Sequence, residues 1–444
     1  MRSVCNFLGM LMVVLVFASC SKEKEPIKTE VSDFHQSVDK LTEIMVHDIF
    51  SPPVAARVYA YPILTAYEIL QQGNESYISL YGQINDFPKI PAKPENENLN
   101  LEIAALTGFM DIGRRLIFSE EILERYRDSL YAVWEKNNPD MFKVSREYGL
   151  EVAKEVVKWI DTDMYNQTRT MPKFSVNLNE EWRWQPTPPA YMDGIEPHWK
   201  YIRTLTLDSA SQFRPLPHPE FSLEEGSKFH AELMEVYNIG LRSLAVGDSA
   251  KEVAIAKFWD CNPYVSVHRG HMMFALKKIT PGAHWIGICK IACKKSDLDM
   301  METVVAYAYT STAIFDAFIS CWDEKYRSVL IRPETLINKY IDENWTPVLQ
   351  TPPFPEYTSG HSVVSGAASV ALTHCFGENF TFDDDTEVPY GLPVRKFDSF
   401  LSASKEAAIS RMYGGIHYRA AVENGLDQGI DIGKFVCNKI NLKK

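Results

Sequence analysis

The sequence has no excess of positive charge, no CxxC pair, no internal repeat and, beyond its first residues, no apolar run that reads as a membrane span. Each absence excludes something. With 46 Lys and Arg against 58 Asp and Glu, the net charge is −12, which argues against a nucleic-acid partner or an anionic membrane surface, since phosphate backbones select basic faces. Any anion must therefore be bound locally. Apart from Cys5 and Cys20, the cysteines Cys261, Cys289, Cys293, Cys321, Cys375 and Cys437 show no Cys/His ligand spacing, so no zinc site is expected. Cys289 and Cys293 read as small buried hydrophobes. The missing repeat excludes a solenoid. Asp383-Asp384-Asp385 with Glu387 lacks the EF-hand spacing and its turn glycine, and reads as a solvated hairpin tip.

What is present suffices for a large core: 444 residues, 45% hydrophobic and 12% aromatic. Residues 1–19 read as a lipoprotein signal peptide, with Arg2, a short apolar run from Phe7 to Phe17, and Ala18-Ser19-Cys20 in the manner of a bacterial lipobox. Cys20 is then the lipidated mature N-terminus. Residues 20–40 are expected to form a tether, and the acidic stretch after the cysteine resembles export signals that place lipoproteins on the outer face of some Gram-negative cells, which implies an anchor on the outer membrane or cell surface. Contact with a membrane is expected through this anchor only.

Helical periodicity organises most of the rest. Residues 41–170 are expected to be helical, and 226–444 to form a second helical region, the oxoanion-binding core. Between them, 171–225 carries scattered prolines interleaved with Trp182, Trp184 and Trp199, which suits an ordered crossing loop packed on the core. Residues 380–396 alone look β-like. The fold class is all-α, a helical bundle with a proline- and Trp-rich crossing segment and one short hairpin.

Three segments of the last third hold what an oxoanion requires, fixed cations and many N–H and O–H donors. Lys325 and Arg332 come first; Pro333 biases Arg332 to extended backbone and can open a helix. Thr358-Ser359-Gly360-His361 comes second, with Ser359 where an N-cap belongs and Gly360 letting backbone approach a ligand. Ser410-Arg411, Gly414-Gly415 and His417 come third. Two histidines at separate helix starts suit one nucleophile or ligand and one proton carrier. His268, His271 and His284 are spaced as a polar loop, one of them touching the pocket from outside.

The spacing resembles the signature shared by vanadium-dependent haloperoxidases and type 2 phosphatidic acid phosphatases. Lys325 stands seven before Arg332-Pro333, Ser359-Gly360-His361 follows, and Arg411 stands six before His417. Trp322 and the run Pro352 to Tyr357, containing Phe354, are similar to the vanadium chloroperoxidase branch, as are Pro186–Pro189 and the stretch from Pro197-His198-Trp199 to Pro215. The resemblance implies a helical bundle of that type. It implies that Lys325, Arg332, Ser359, Gly360 and Arg411 bind the oxoanion, that His361 is the acid/base, and that His417 is either the axial vanadium ligand or a phosphorylated nucleophile. Trp322 and Phe354 would form the pocket wall. The implied activity is oxidation of halide by hydrogen peroxide with vanadate as cofactor; the alternative is a cofactor-free acid phosphatase hydrolysing phosphate esters, and a third reading is a non-catalytic surface binder. Two positions depart from the signature: Thr358 replaces a proline, and Ala421 stands where the phosphatase form has the Asp that orients the last histidine. Another acceptor must orient His417, with the loop residues Asn262 and Glu356 as candidates.

Overall fold

The structure is a computed structural model that describes residues 25–269, 272–275 and 277–444. Among these, the helices in chain order are α1 (Val31–His47), α2 (Pro52–Leu70), α3 (Leu101–Arg114), α4 (Glu120–Asn137), α5 (Pro139–Ile160), the single turn α6 (Tyr165–Thr168), α7 (Lys228–Val246), α8 (Lys251–Phe258), α9 (Pro281–Lys295), α10 (Met300–Ser328), α11 (Pro333–Tyr340), α12 (Gly360–Phe376), α13 (Phe400–Tyr413) and α14 (Arg419–Lys439). Two antiparallel strand pairs accompany them, β1 (Ser266–Arg269) with β2 (Met272–Ala275), and β3 (Phe382–Asp384) with β4 (Arg395–Phe397).

The centre is made by helices that are apolar on every side. Every residue of α2 is buried, as expected for a helix with no polar face. It packs on α3 and α10, and α10 packs on α12. α10 is long and apolar enough to cross a membrane by length and composition, yet 94% of that apolar window is buried inside the protein, so it is the core helix here. Its start is fixed by a reciprocal cap in which Asp299 accepts from Glu302 N at 2.8 Å.

α12 and α14 cross at close range because glycine lines the contact. A Cβ on Gly429 would lie 2.0 Å from the carbonyl oxygen of Val363, and one on Gly433 2.7 Å from that of Ala367. These positions are one helical turn apart and share a face. Gly429→Ala is therefore expected to force the helices apart at a cost of about 3 kcal/mol or more; a thermal midpoint equal to the parent's would contradict this packing.

The crossing loop is ordered by pairing with the chain just ahead of Arg332. Trp184 N donates to Val329 O at 2.8 Å and Ile331 N to Trp182 O at 2.9 Å. Farther along, the buried carboxylate of Asp316 on α10 accepts from the backbone of Leu205 and Thr206 at 2.7 and 2.8 Å. The loop is thereby clamped to the helix that carries Trp322 and Lys325.

Four expectations need correction. The tether does not reach residue 40: Ile27 is already buried in the core, and α1 begins at Val31 and buries Phe34 and Val38. His284 lies on α9, not in a polar loop; Thr280 caps that helix and Pro281 occupies its first turn, where a missing N–H costs nothing. Residues 266–275 add a strand pair that the periodicity did not announce. Finally, the 380–396 hairpin forms with Phe382 opposite Phe397, but its acidic tip is solvated only in part: Asp383 and Asp385 are exposed, whereas Asp384 and Glu387 are buried, each with a partner on His284. Cys20 and the signal segment, together with His271 and the side chain of His268, lie outside the described residues.

Candidate active site

Each polar segment is aimed by a helix terminus. Arg332 is the extended N-cap of α11, ahead of Pro333. Ser359 caps α12, its hydroxyl accepting from Ser362 N at 3.3 Å, so His361 sits in the first turn. α13 carries Arg411 in its last turn; Gly415, at φ +80°, then turns the chain back so that His417 precedes the α14 cap Tyr418. One cavity is lined by Trp322, Phe354, Gly360, His361, Arg411 and His417, with Cys261 and Asn262 on its wall. Lys325, Arg332 and Ser359 are fully buried beside it.

The hydrogen bonds fix both arginines. Arg332 Nε donates to Phe354 O at 3.0 Å, and its Nη1 to Ile416 O at 2.8 Å and towards His417 Nε2 at 3.1 Å. Arg411 Nη1 donates to Trp259 O at 2.8 Å, and Asp260 lies 3.9 Å from Nη2. Arg332 Nη2, Arg411 Nε and Nη2, Ser362 Oγ and His361 Nε2 are buried without a hydrogen-bond partner among the described residues. Buried donors left unpaired cost about 1–3 kcal/mol each, so this cluster of cationic and hydroxyl donors fits a tetrahedral oxoanion.

Lys325 is held differently. Its ammonium donates to the carbonyls of Pro355, Glu356 and Thr358, and it lies 5.0 Å from the centroid of Phe354 and 5.7 Å from that of Trp322. It therefore acts on an anion as a positive charge held in one place while it is protonated. Burial lowers it to about 7. Trp322 is itself set by Nε1 donating to Ile195 O of the crossing loop at 3.2 Å and by its tilted contact with Phe354 at 5.0 Å.

The orienting partner of His417 is Glu356. Its Oε1 lies 2.8 Å from His417 Nδ1 and accepts from Tyr418 N at 2.9 Å. The Nδ1–H tautomer follows, with the lone pair of Nε2 facing Arg332. Burial first, and the charge of Arg332 second, hold His417 far below its ordinary range, so Nε2 stays unprotonated. Burial raises Glu356 to about 8. Asn262 does something else: its amide donates to Gln350 O at 3.3 Å and its carbonyl accepts from Tyr264 N. His361 is half-buried as a residue, hydrogen-bonded to the Trp259 backbone, and kept neutral by burial and then by Arg411. The sequence reading missed Trp259 and Asp260 as the supports of Arg411; they precede the cavity-lining Cys261, and nothing in their spacing marks them.

The similarities agree with this geometry. The VCPO second helical-bundle domain matches residues 305–443. A crystal structure described as the first bacterial vanadium-dependent iodoperoxidase is 58% identical, with a TM-score of 0.92, covering 95% of this chain and 99% of that one. A holo-type bacterial vanadium-dependent chloroperoxidase is 18% identical with a TM-score of 0.68, covering 94% and 98%, a likeness of fold alone. No curated protein matches the sequence. On the 58% identity over nearly its whole length, the chain belongs to the vanadium-dependent haloperoxidase family.

Proposed function

We propose that this protein oxidises halide with hydrogen peroxide at vanadate held in the Lys325/Arg332/Arg411 pocket, and that iodide is the halide it uses. The observation that carries the reading is the fixed tautomer of His417, whose Nδ1–H is tied to Glu356 and whose Nε2 is free of a proton beside three buried cations. The choice of iodide rests on the identity to the iodoperoxidase.

Bound vanadate supplies a Lewis-acidic centre that polarises peroxide for attack by halide. The residues do the rest. Arg332 and Arg411 present their unpaired N–H groups to the oxoanion oxygens, with Ser359 and Gly360 opening α12 against them. His417 Nε2 would hold the vanadium, and His361 Nε2, buried without a partner, would take up and return a proton beside it. Trp322 and Phe354 wall the site and exclude water. Export and lipidation at Cys20 belong to the same proposal, supported by the Ala18-Ser19-Cys20 motif.

The test is one purified sample, stripped and then supplied with orthovanadate, assayed for peroxide-dependent oxidation of iodide, bromide and chloride and for phosphate-ester hydrolysis. Vanadate-dependent oxidation of iodide ahead of the others supports the reading. Hydrolysis that vanadate inhibits would replace it with the phosphatase.

Lys325 adds a pH dependence. A group lowered to about 7 is charged below that value and neutral above it, so oxoanion affinity is expected to fall as pH rises through 7. Calorimetry of the parent against Lys325→Met separates this from the ligand's own titration. A variant with the parent's pH slope would contradict it.

A further inference from the structure

At the cavity wall, where Cys261 also lines the oxoanion pocket, a second cluster of donors has no role in the haloperoxidase reading. Cys261 Sγ, His284 Nδ1 and Glu387 Oε1 come from the loop after α8, from α9 and from the turn between β3 and β4, and all three residues are buried. The edges of their triangle are 3.3 Å from sulfur to nitrogen, 3.4 Å from nitrogen to oxygen and 3.6 Å from sulfur to oxygen. A tetrahedral zinc ion with bonds of about 2.3 Å to sulfur and about 2.0 Å to nitrogen and oxygen requires donor edges of about 3.3–3.6 Å. The other nitrogen of the ring, His284 Nε2, is tied to Asp384 Oδ2 at 2.8 Å, the carboxylate–histidine arrangement that orients a metal-bound imidazole. The ring is also stacked on Trp259 at 4.4 Å.

We propose that Cys261, His284 and Glu387 bind a divalent cation of the zinc class, distinct from the oxoanion site. One soft thiolate, one imidazole and one carboxylate are the ligand types zinc accepts, and a thiolate and a carboxylate repel an oxoanion. On binding, the Cys261 thiol proton and the proton on His284 Nδ1 are both released to solvent, while the Nε2–H stays hydrogen-bonded to Asp384. A cavity of about 650 Å³ is lined by Ala283, Thr386 and Val388, chain neighbours of His284 and Glu387, and a water from that side would be the fourth ligand. The consequence is structural. The ion would pin the hairpin and α9 to the Trp259–Asn262 segment, whose Trp259 carbonyl holds Arg411.

The test uses the folded protein, stripped with a chelator and then given zinc or cobalt(II) alone. One equivalent of zinc per chain, a raised thermal midpoint, and a thiolate-to-cobalt charge-transfer absorption that Cys261→Ser abolishes are expected. Glu387→Gln preserves shape and should weaken zinc about 10-fold or more; it decides the matter if Cys261→Ser does not fold. No zinc above trace, a charge-transfer band that survives in Cys261→Ser, or parental zinc affinity in Glu387→Gln would overturn the site.

Discussion

His417→Ala is expected to abolish retention of vanadate while leaving the fold intact. The side chain supplies one unprotonated nitrogen, and its immediate neighbour, Arg332 Nη1 at 3.1 Å, is a cation that cannot replace it. The loss of a ligand differs from the loss of its support. Glu356→Ala removes the acceptor for Nδ1 and for Tyr418 N and should weaken oxoanion binding about 10–100-fold, the usual cost of an outer partner. Equal affinities of His417→Ala and the parent in calorimetry would contradict the assignment.

His361→Ala should behave in the opposite way, with vanadate affinity largely kept and turnover reduced about 100-fold or more. The physical ground is the separation of tasks. His361 hangs from the Trp259 backbone at the edge of the cavity, and its neutral Nε2 is enclosed without a partner, so it can take and return a proton without holding the anion. Oxoanion affinity measured beside turnover decides it: affinity lost as fully as in His417→Ala would show that both histidines serve binding.

Much of this was legible in the sequence because the decisive residues sit at helix ends, where local rules are strong. Arg332-Pro333 and Ser359-Gly360 announced the starts of α11 and α12, and the helical periodicity of the last third announced helices there, α10 among them. The failures are of two kinds. At α9, His284 read as part of a polar loop although Thr280-Pro281 is equally a helix start, and the packing of Gly282 against Ile314, 3.1 Å from its would-be Cβ, suits the helix. The second kind is non-local. Glu356 reaches His417 across 61 residues and Asp384 reaches His284 across 100, distances at which periodicity carries no information. An acidic triplet at a hairpin tip is normally solvated; here one of its carboxylates is turned inward because a buried imidazole awaits it.

The measurement that tests the central claim most directly is a titration of stripped protein with orthovanadate, following bound vanadium and peroxide-dependent iodide oxidation in the same samples. The account predicts that both rise together to one equivalent per chain, and that neither rises in His417→Ala. Activity that is complete without vanadium, or vanadium that binds equally well to His417→Ala, would contradict it.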